Sequence, residues 1–298
     1  MKFLRFLYQD NVYTGVISAD GENIIKLKNI LPEMGNPTIT EFIRMHTQKD
    51  MKMLNEAVKD QSRADLIPLY PDRIMPPIRR PIHDILCVGE NYKGHADEMQ
   101  QYFGEKHNST PADERNTIYF SKRATRVLGD NEPIVSRTDI DEQLDYEVEL
   151  AVIIGKEGRD IPKDQAEKYI FGYSIFNDIT SRHLQKKYGQ WFKGKSLDTY
   201  TAMGPIIVTK DEFASPLELD ICSKVNGEIR QNSNTRMLMT DIPTIIHELS
   251  IGMTIEPGDI IATGTPAGVA MSSGGYMKKG DIVECEIAGI GVLRNKVK

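Results

Sequence analysis

Over the first 30 residues, apolar and polar positions alternate in three short runs, FLRFLY, VYTGVIS and IIKL, punctuated by turn residues such as Asp20-Gly21. Period-two alternation between turns predicts strands. The run ITEFIRMHTQKDMKMLNEAVKDQ changes to near-helical spacing and predicts a helix over 38–62. Five prolines then fall in LIPLYPDRIMPPIRRPIHD. Proline removes backbone donors and disfavours regular structure before it, so residues 66–83 read as irregular. A linker over 71–82 would divide a small N-terminal α/β domain (1–70) from a larger domain (83–298).

The larger part is rich in β-branched and aromatic runs bounded by Gly, Pro, Asn or Asp: ILCVG, TIYFSK, EVELAVIIG, YIFGYSIFND, GPIIVT, LELDICSKVNGEI, DIIATGT and DIVECEIAGIGVL. Helical spacing is confined to segments around 92–103, 163–169, 178–189 and 241–252. Strands in hairpin-like series with occasional helices predict an α+β fold, mostly β: a mixed β-roll or sandwich, not a doubly wound sheet. The polar stretch 104–116 reads as a lid-like loop, and SSGGY at 272–276 as a second flexible segment. No internal repeat is visible.

Composition narrows the partners. The chain has 298 residues, 40% hydrophobic and 27% charged, with a formal net charge of −6. These values describe an ordinary globular protein. A mildly acidic surface argues against nucleic acid, which needs clustered Lys and Arg, but a small anionic substrate remains open because a pocket can differ in sign from the whole. Cys87, Cys222 and Cys285 sit in apolar runs without a Cys-x-x-Cys pair and read as buried free thiols of a reducing compartment. There is no signal-peptide-like start and no apolar run of about 18 residues. The expectation is a cytoplasmic protein with no membrane partner.

Candidate chemistry centres on LDYEVELAVIIGK. Alternation along a strand puts Glu147 and Glu149 on one face, where the two carboxylates repel unless a cation lies between them. Asp178 follows the apolar strand YIFGYSIFN. Three acids without Cys or His describe a hard oxygen site, suited to Mg²⁺, Mn²⁺ or Ca²⁺. A solvated strand face is the competing explanation, which the apolar surroundings weaken.

GENYKGHADEM, YFSK, LDYEVELAVIIGK, FGYSIFNDITSRHLQ, GKSLDTYTAMGP, VNGEIRQ and MTIEPGDIIATGTPAGV, in this order over roughly residues 82–298, resemble the fumarylacetoacetate hydrolase family. The resemblance implies a β-roll catalytic domain, a homodimer, and one divalent cation, Mg²⁺ or Mn²⁺, on Glu147, Glu149 and Asp178. It implies a His95–Glu98 pair, three residues apart, that activates water or moves a proton, and Lys122 and Lys195 beside the cation. Arg182 and Gln185 would hold the outer end of the substrate or brace the site, and Thr265, in the turn Thr263–Gly268, would meet a substrate carboxylate. Asn91 and Tyr92 would shape the loop that carries His95. His183, Arg123, Ala202 and a long 99–116 stretch depart from the family pattern and would bear on substrate choice.

The expected activity is cleavage of a C–C bond in a small 2-oxo or 1,3-dioxo acid, such as an acylpyruvate or oxaloacetate, by hydrolysis or decarboxylation through a metal-stabilised enolate. An isomerase or tautomerase of a 2-hydroxy-dienedioate or of oxaloacetate enol is the alternative. A metal-stabilised binding protein without turnover is the third.

Overall fold

The computed structural model describes residues 1–70, 73–103 and 116–298; most of the expected lid, 104–115, lies outside the described residues. Its largest element is an eleven-stranded mixed sheet. In spatial order the strands are Ile67–Pro68, Asn23–Lys26, Asn11–Ile17, Lys2–Tyr8, Ala202–Thr209, Ile170–Asn177, Val148–Ile154, Ile260–Ala262, Ile85–Gly89 and Ile118–Lys122, and Ile74–Met75 also pairs with Lys2–Tyr8. All neighbours are antiparallel except Ile260–Ala262 with Ile85–Gly89. A second, four-stranded antiparallel sheet runs Glu228–Asn234, Asp220–Val225, Ile282–Ile287, Gly291–Lys296. Its first hairpin turns at Asn226-Gly227, both at positive φ (53° and 82°), which is the Asn-Gly chemistry of a tight hairpin. The α+β, mostly β architecture matches the expectation from the sequence.

Strands from both sides of the expected linker belong to one sheet. Lys2 and Phe3 pair with Val208 and Ile207, so the N-terminal strands extend the same sheet that carries the acids. Phe3 packs against Phe42 and Phe171 with ring centroids 5.1 and 5.3 Å away. The expected helix over 38–62 is two helices, Ile39–Met45 and Gln48–Ala57. Thr38 with Glu41 and Thr47 with Asp50 each form a capping box, and the second box restarts the helix after the extended residue His46. Helices also form at Trp191–Lys195 and Ala270–Ser273, where none was expected; the latter takes up the start of SSGGY and ends at Gly274 in the left-handed region (φ 74°). Cys87 and Cys285 are buried and free, but Cys222 is only half-buried.

The Val148–Ile154 strand is buried on both faces. Leu150, Val152 and Ile154 enter one core, while Ala151 and Ile153 enter the other. Glu149 shares the face of Ala151 and Ile153 and is itself buried. Among the described residues, no helix is long and apolar enough to cross a membrane.

Because Phe3 ties the N-terminal strands to the central core, Phe3→Ala should cost about 3–5 kcal/mol and lower one common unfolding transition in urea. Two separate transitions, with only the earlier one moved, would show that residues 1–70 fold as an independent unit.

Candidate active site

Antiparallel pairing of two strands gathers the acids. Phe176 faces Glu149 and Asn177 faces Val148, so the chain ends run out together. The Asp178 N–H then donates to the Glu147 carbonyl at 2.9 Å, which sets Asp178 opposite Glu147. One carboxylate oxygen from each of Glu147, Glu149 and Asp178 lies within 4.8 Å of the others, and all three residues are buried.

Basic groups are threaded among them. The Lys195 ammonium donates to Glu147 Oε2 and Asp178 Oδ2, both at 2.7 Å. Arg182 Nη2 lies 2.6 Å from Glu147 Oε1, Arg182 Nε donates to Asp145 Oδ2 at 2.8 Å, and Arg182 Nη1 donates to Gln185 Oε1 at 3.0 Å. Lys122, fully buried, donates to Asp178 Oδ1 and to the carbonyls of Ile179 and Tyr200. All three of its N–H bonds are thus engaged, and it does not line the pocket.

The charges divide unevenly. Burial pushes the Glu147 carboxyl up, but Lys195 and Arg182 outweigh it and hold the pKa at about 2. Burial, then the neighbouring Asp178 and Glu147 charges, push Glu149 well above the usual carboxylate range. One backbone donor, the Gly264 N–H at 2.9 Å, reaches it. Burial lowers the Lys195 pKa, but Asp178 and Glu147 outweigh it and bring it up to about 12. A buried carboxylate among like charges calls for a proton or a cation. Each carboxylate oxygen has lone pairs enough to accept a lysine N–H and bind an ion as well. The donor set therefore fits a hard divalent cation, with Glu149 as the group that most needs one.

His95 and Glu98 lie on the Lys93–Phe103 helix, with His95 Nδ1 3.1 Å from Glu98 Oε2. Glu98 is fixed from outside the helix: Oε1 accepts from the Gly268 N–H at 3.1 Å and from the Ser272 hydroxyl. Burial raises the Glu98 pKa, but the hydrogen bonds from His95, Ser272 and Gly268 outweigh it and hold it below the usual range. The carboxylate is held ionised beside the imidazole.

These groups share one pocket of about 290 Å³, lined by His95, Glu147, Glu149, Arg182, Gln185, Lys195 and Thr265. Its apolar wall includes Met99, Phe120, Trp191 and Met271. Phe120 lies under the Lys195 ammonium at 5.5 Å and meets Trp191 edge-on at 5.1 Å. The Thr265 hydroxyl donates to the Val148 carbonyl at 2.9 Å and accepts from Gln231 Nε2 at 2.7 Å. Its hydroxyl proton thus serves the fold. Arg123, His183 and Ala202 are not among the pocket's lining residues, whereas Met99, at the start of the 99–116 stretch, is.

Other supports are equally inconspicuous. Gln231, from the second sheet, joins the Thr265 turn to the acid strand: it donates to Thr265 Oγ1 and the Pro266 carbonyl and accepts from the Val148 N–H. Asn91 donates to the Thr263 and Thr240 carbonyls. Gly268 sits at φ 104°, where a Cβ would lie 2.0 Å from the Arg230 carbonyl oxygen; only glycine lets that turn pass so close to the strand.

The C-terminal domain of fumarylacetoacetate (FAA) hydrolase matches residues 84–298. The chain belongs to the fumarylacetoacetate hydrolase family. It is 42% identical over 224 residues to oxaloacetate tautomerase YisK of Bacillus subtilis, covering 74% of this chain and 71% of that protein. A solved fumarylacetoacetate hydrolase from psychrophilic Exiguobacterium antarcticum superposes with a TM-score of 0.81 at 36% identity, covering 100% of this chain and 99% of that one. A 2-hydroxyhepta-2,4-diene-1,7-dioate isomerase from Mycobacterium marinum superposes with a TM-score of 0.71 at 29% identity, covering 100% and 98%.

Because its pKa is raised, Glu149 is the acid at which a proton competes with an incoming cation. Binding of Mn²⁺ should therefore release protons and weaken as the pH falls. Calorimetric titration in buffers of different ionisation enthalpy checks this: an observed heat independent of the buffer would remove Glu149 from the ligand set. Glu149→Gln should abolish both the release and most of the affinity.

Proposed function

We propose that the chain is a divalent-cation-dependent enzyme acting on small 2-oxo acids, with keto–enol tautomerisation of an oxaloacetate-like dicarboxylate as its reaction. One observation carries this reading: His95 and the carboxylates of Glu147 and Glu149 line the same pocket, so a proton donor or acceptor faces the place where a chelated oxo acid would sit. The oxaloacetate tautomerase of Bacillus subtilis among the relatives supports the choice of reaction and substrate class.

Glu147, Glu149 and Asp178 would hold the cation, which supplies Lewis-acid polarisation of the substrate carbonyl. His95, oriented by Glu98, moves the proton at the carbon next to that carbonyl. Lys195 sets a positive charge beside the negative charge that develops on the enolate oxygen. Met99, Phe120, Trp191 and Met271 limit water around the reacting carbon. Arg182 and Gln185 brace Glu147 and the pocket's outer edge.

The His95–Glu98 geometry favours a second reading, C–C cleavage by hydrolysis or decarboxylation, because the same dyad can hold and activate a water molecule. Product analysis separates the two. With oxaloacetate enol, tautomerisation removes the enol absorbance while total oxaloacetate is conserved; decarboxylation yields pyruvate and CO₂, and hydrolysis yields oxalate and acetate. Stoichiometric formation of pyruvate, or of oxalate and acetate, would sink the tautomerase reading, and silence towards every oxo acid tested would sink both.

Chelation should abolish turnover, and Mg²⁺ or Mn²⁺ should restore it. His95→Ala should lower turnover by about 10²–10⁴-fold while Mn²⁺ affinity in calorimetry stays close to wild type. Parallel loss of turnover and affinity would mean that His95 belongs to the cation site and not to proton transfer.

A further inference from the structure

We infer that Asp145 is a positioning residue that holds the cation-side carboxylate Glu147 and the Glu98–His95 dyad in one register. The inference rests on the reading of the pocket given above, and it concerns a residue that does not line that pocket. Asp145 is fully buried and accepts four hydrogen bonds. Oδ1 takes the N–H groups of Tyr146 at 2.8 Å and Ala270 at 2.7 Å. Oδ2 takes the Met271 N–H at 2.9 Å and Arg182 Nε at 2.8 Å.

Two lines of support leave this one carboxylate. Through Arg182, whose Nη2 lies 2.6 Å from Glu147 Oε1, Asp145 sets the direction of a candidate ligand. Through Ala270 and Met271 it anchors the turn whose flanking residues, Gly268 and Ser272, both donate to Glu98 Oε1. The Tyr146 hydroxyl adds a third tie, donating to the Gly268 carbonyl at 3.0 Å. A fixed, desolvated carboxylate with four donors has one low-energy arrangement. The acids on one side and the imidazole on the other therefore keep their separation without touching each other. Partners of this kind, one step behind the reacting groups, usually affect metal affinity or activity by about 10–100-fold.

Asp145→Asn tests the assignment with little change in size. The new NH₂ group must face N–H donors whichever way the amide lies, since each oxygen of Asp145 now accepts two. Hydrogen exchange of the cation-free protein should become about 10–100-fold faster at Ala270 and Met271, as expected for loss of a hydrogen bond to a charged acceptor. Exchange in the Val148–Ile154 and Ile170–Asn177 strands should stay at the wild-type rate. Calorimetry with Mn²⁺ should show affinity weakened by about 10–100-fold. Ser272→Ala removes the hydroxyl's contacts with Glu98 and with the Val269 carbonyl but none of the four donors to Asp145, so it should accelerate exchange at Ala270 and Met271 far less than Asp145→Asn does.

Wild-type exchange at those two amides in Asp145→Asn would overturn the assignment. So would faster exchange spread evenly over both strands, which marks general destabilisation, or an equal effect of Ser272→Ala. None of these measurements needs a substrate, so the assignment can fail while the proposed reaction stands, and the reverse. Where turnover is measurable, Asp145→Asn combined with Glu98→Gln should lose less than the product of the two single losses, because they share one path; full multiplication would break the link to the dyad.

Discussion

The whole site depends on holding four carboxyl groups together where water does not reach. Asp145, Glu147, Glu149 and Asp178 are buried together with Lys122, Arg182 and Lys195. If all four acids were ionised, four negative groups against three positive ones would leave the cluster with one negative charge in excess. The excess falls on Glu149: Glu147 and Asp178 each touch a lysine, whereas Glu149 is met by a backbone N–H. A desolvated carboxylate with so little compensation is costly, and a divalent cation beside it would offset that cost. The three basic groups gather around these acids although the chain as a whole carries a net charge of −6.

Pairing in the sheet makes that arrangement rigid. The register Phe176 to Glu149 and Asn177 to Val148 brings two acids from one strand against the acid that follows the next. Both strands are buried along their whole length, so a slip of one residue would turn Glu149 into the opposite core and exchange the side chains that the two cores receive. The hydrophobic core thereby fixes the ligand geometry, and the N-terminal strands add to it by extending the same sheet through Phe3 and Ile207.

Local patterns carried much of this. Alternation in LDYEVEL put Glu147 and Glu149 on one side, and the strand-rich composition pointed to an α+β fold. Spacing along the Lys93–Phe103 helix brought His95 and Glu98 together. The helix over 38–62 was read too long because its periodicity continues across His46, while the Thr-x-x-Asp cap that restarts it lies in plain view at Thr47 and Asp50. Continuity of the sheet was hidden for a different reason. The strand pair Lys2–Tyr8 and Ala202–Thr209 joins residues some 200 positions apart, and the prolines between them look like a linker whichever way the sheet closes. Pocket walls were hidden likewise: Trp191 and Met271 carry no motif and gain meaning only from what they face. Gln231 reads as a strand residue until the second sheet brings it against Thr265.

Asp145 shows how a pattern can be present and still be passed over. It lies two residues before Glu147 and four before Glu149, so Asp-x-Glu-x-Glu continues the same alternation. Yet its oxygens take N–H groups of Tyr146, Ala270, Met271 and Arg182 instead of joining the other three acids. The difference comes from the chain that surrounds it. Leu144–Asp145 pairs with Thr180–Ser181 in a small sheet of its own, which carries Asp145 towards the amides of the Ala270–Ser273 helix. Three acids spaced alike along one segment thus divide into two that face the pocket and one that holds its frame. Three of the four donors, Arg182 and the amides of Ala270 and Met271, come from distant parts of the chain, and local spacing does not contain them.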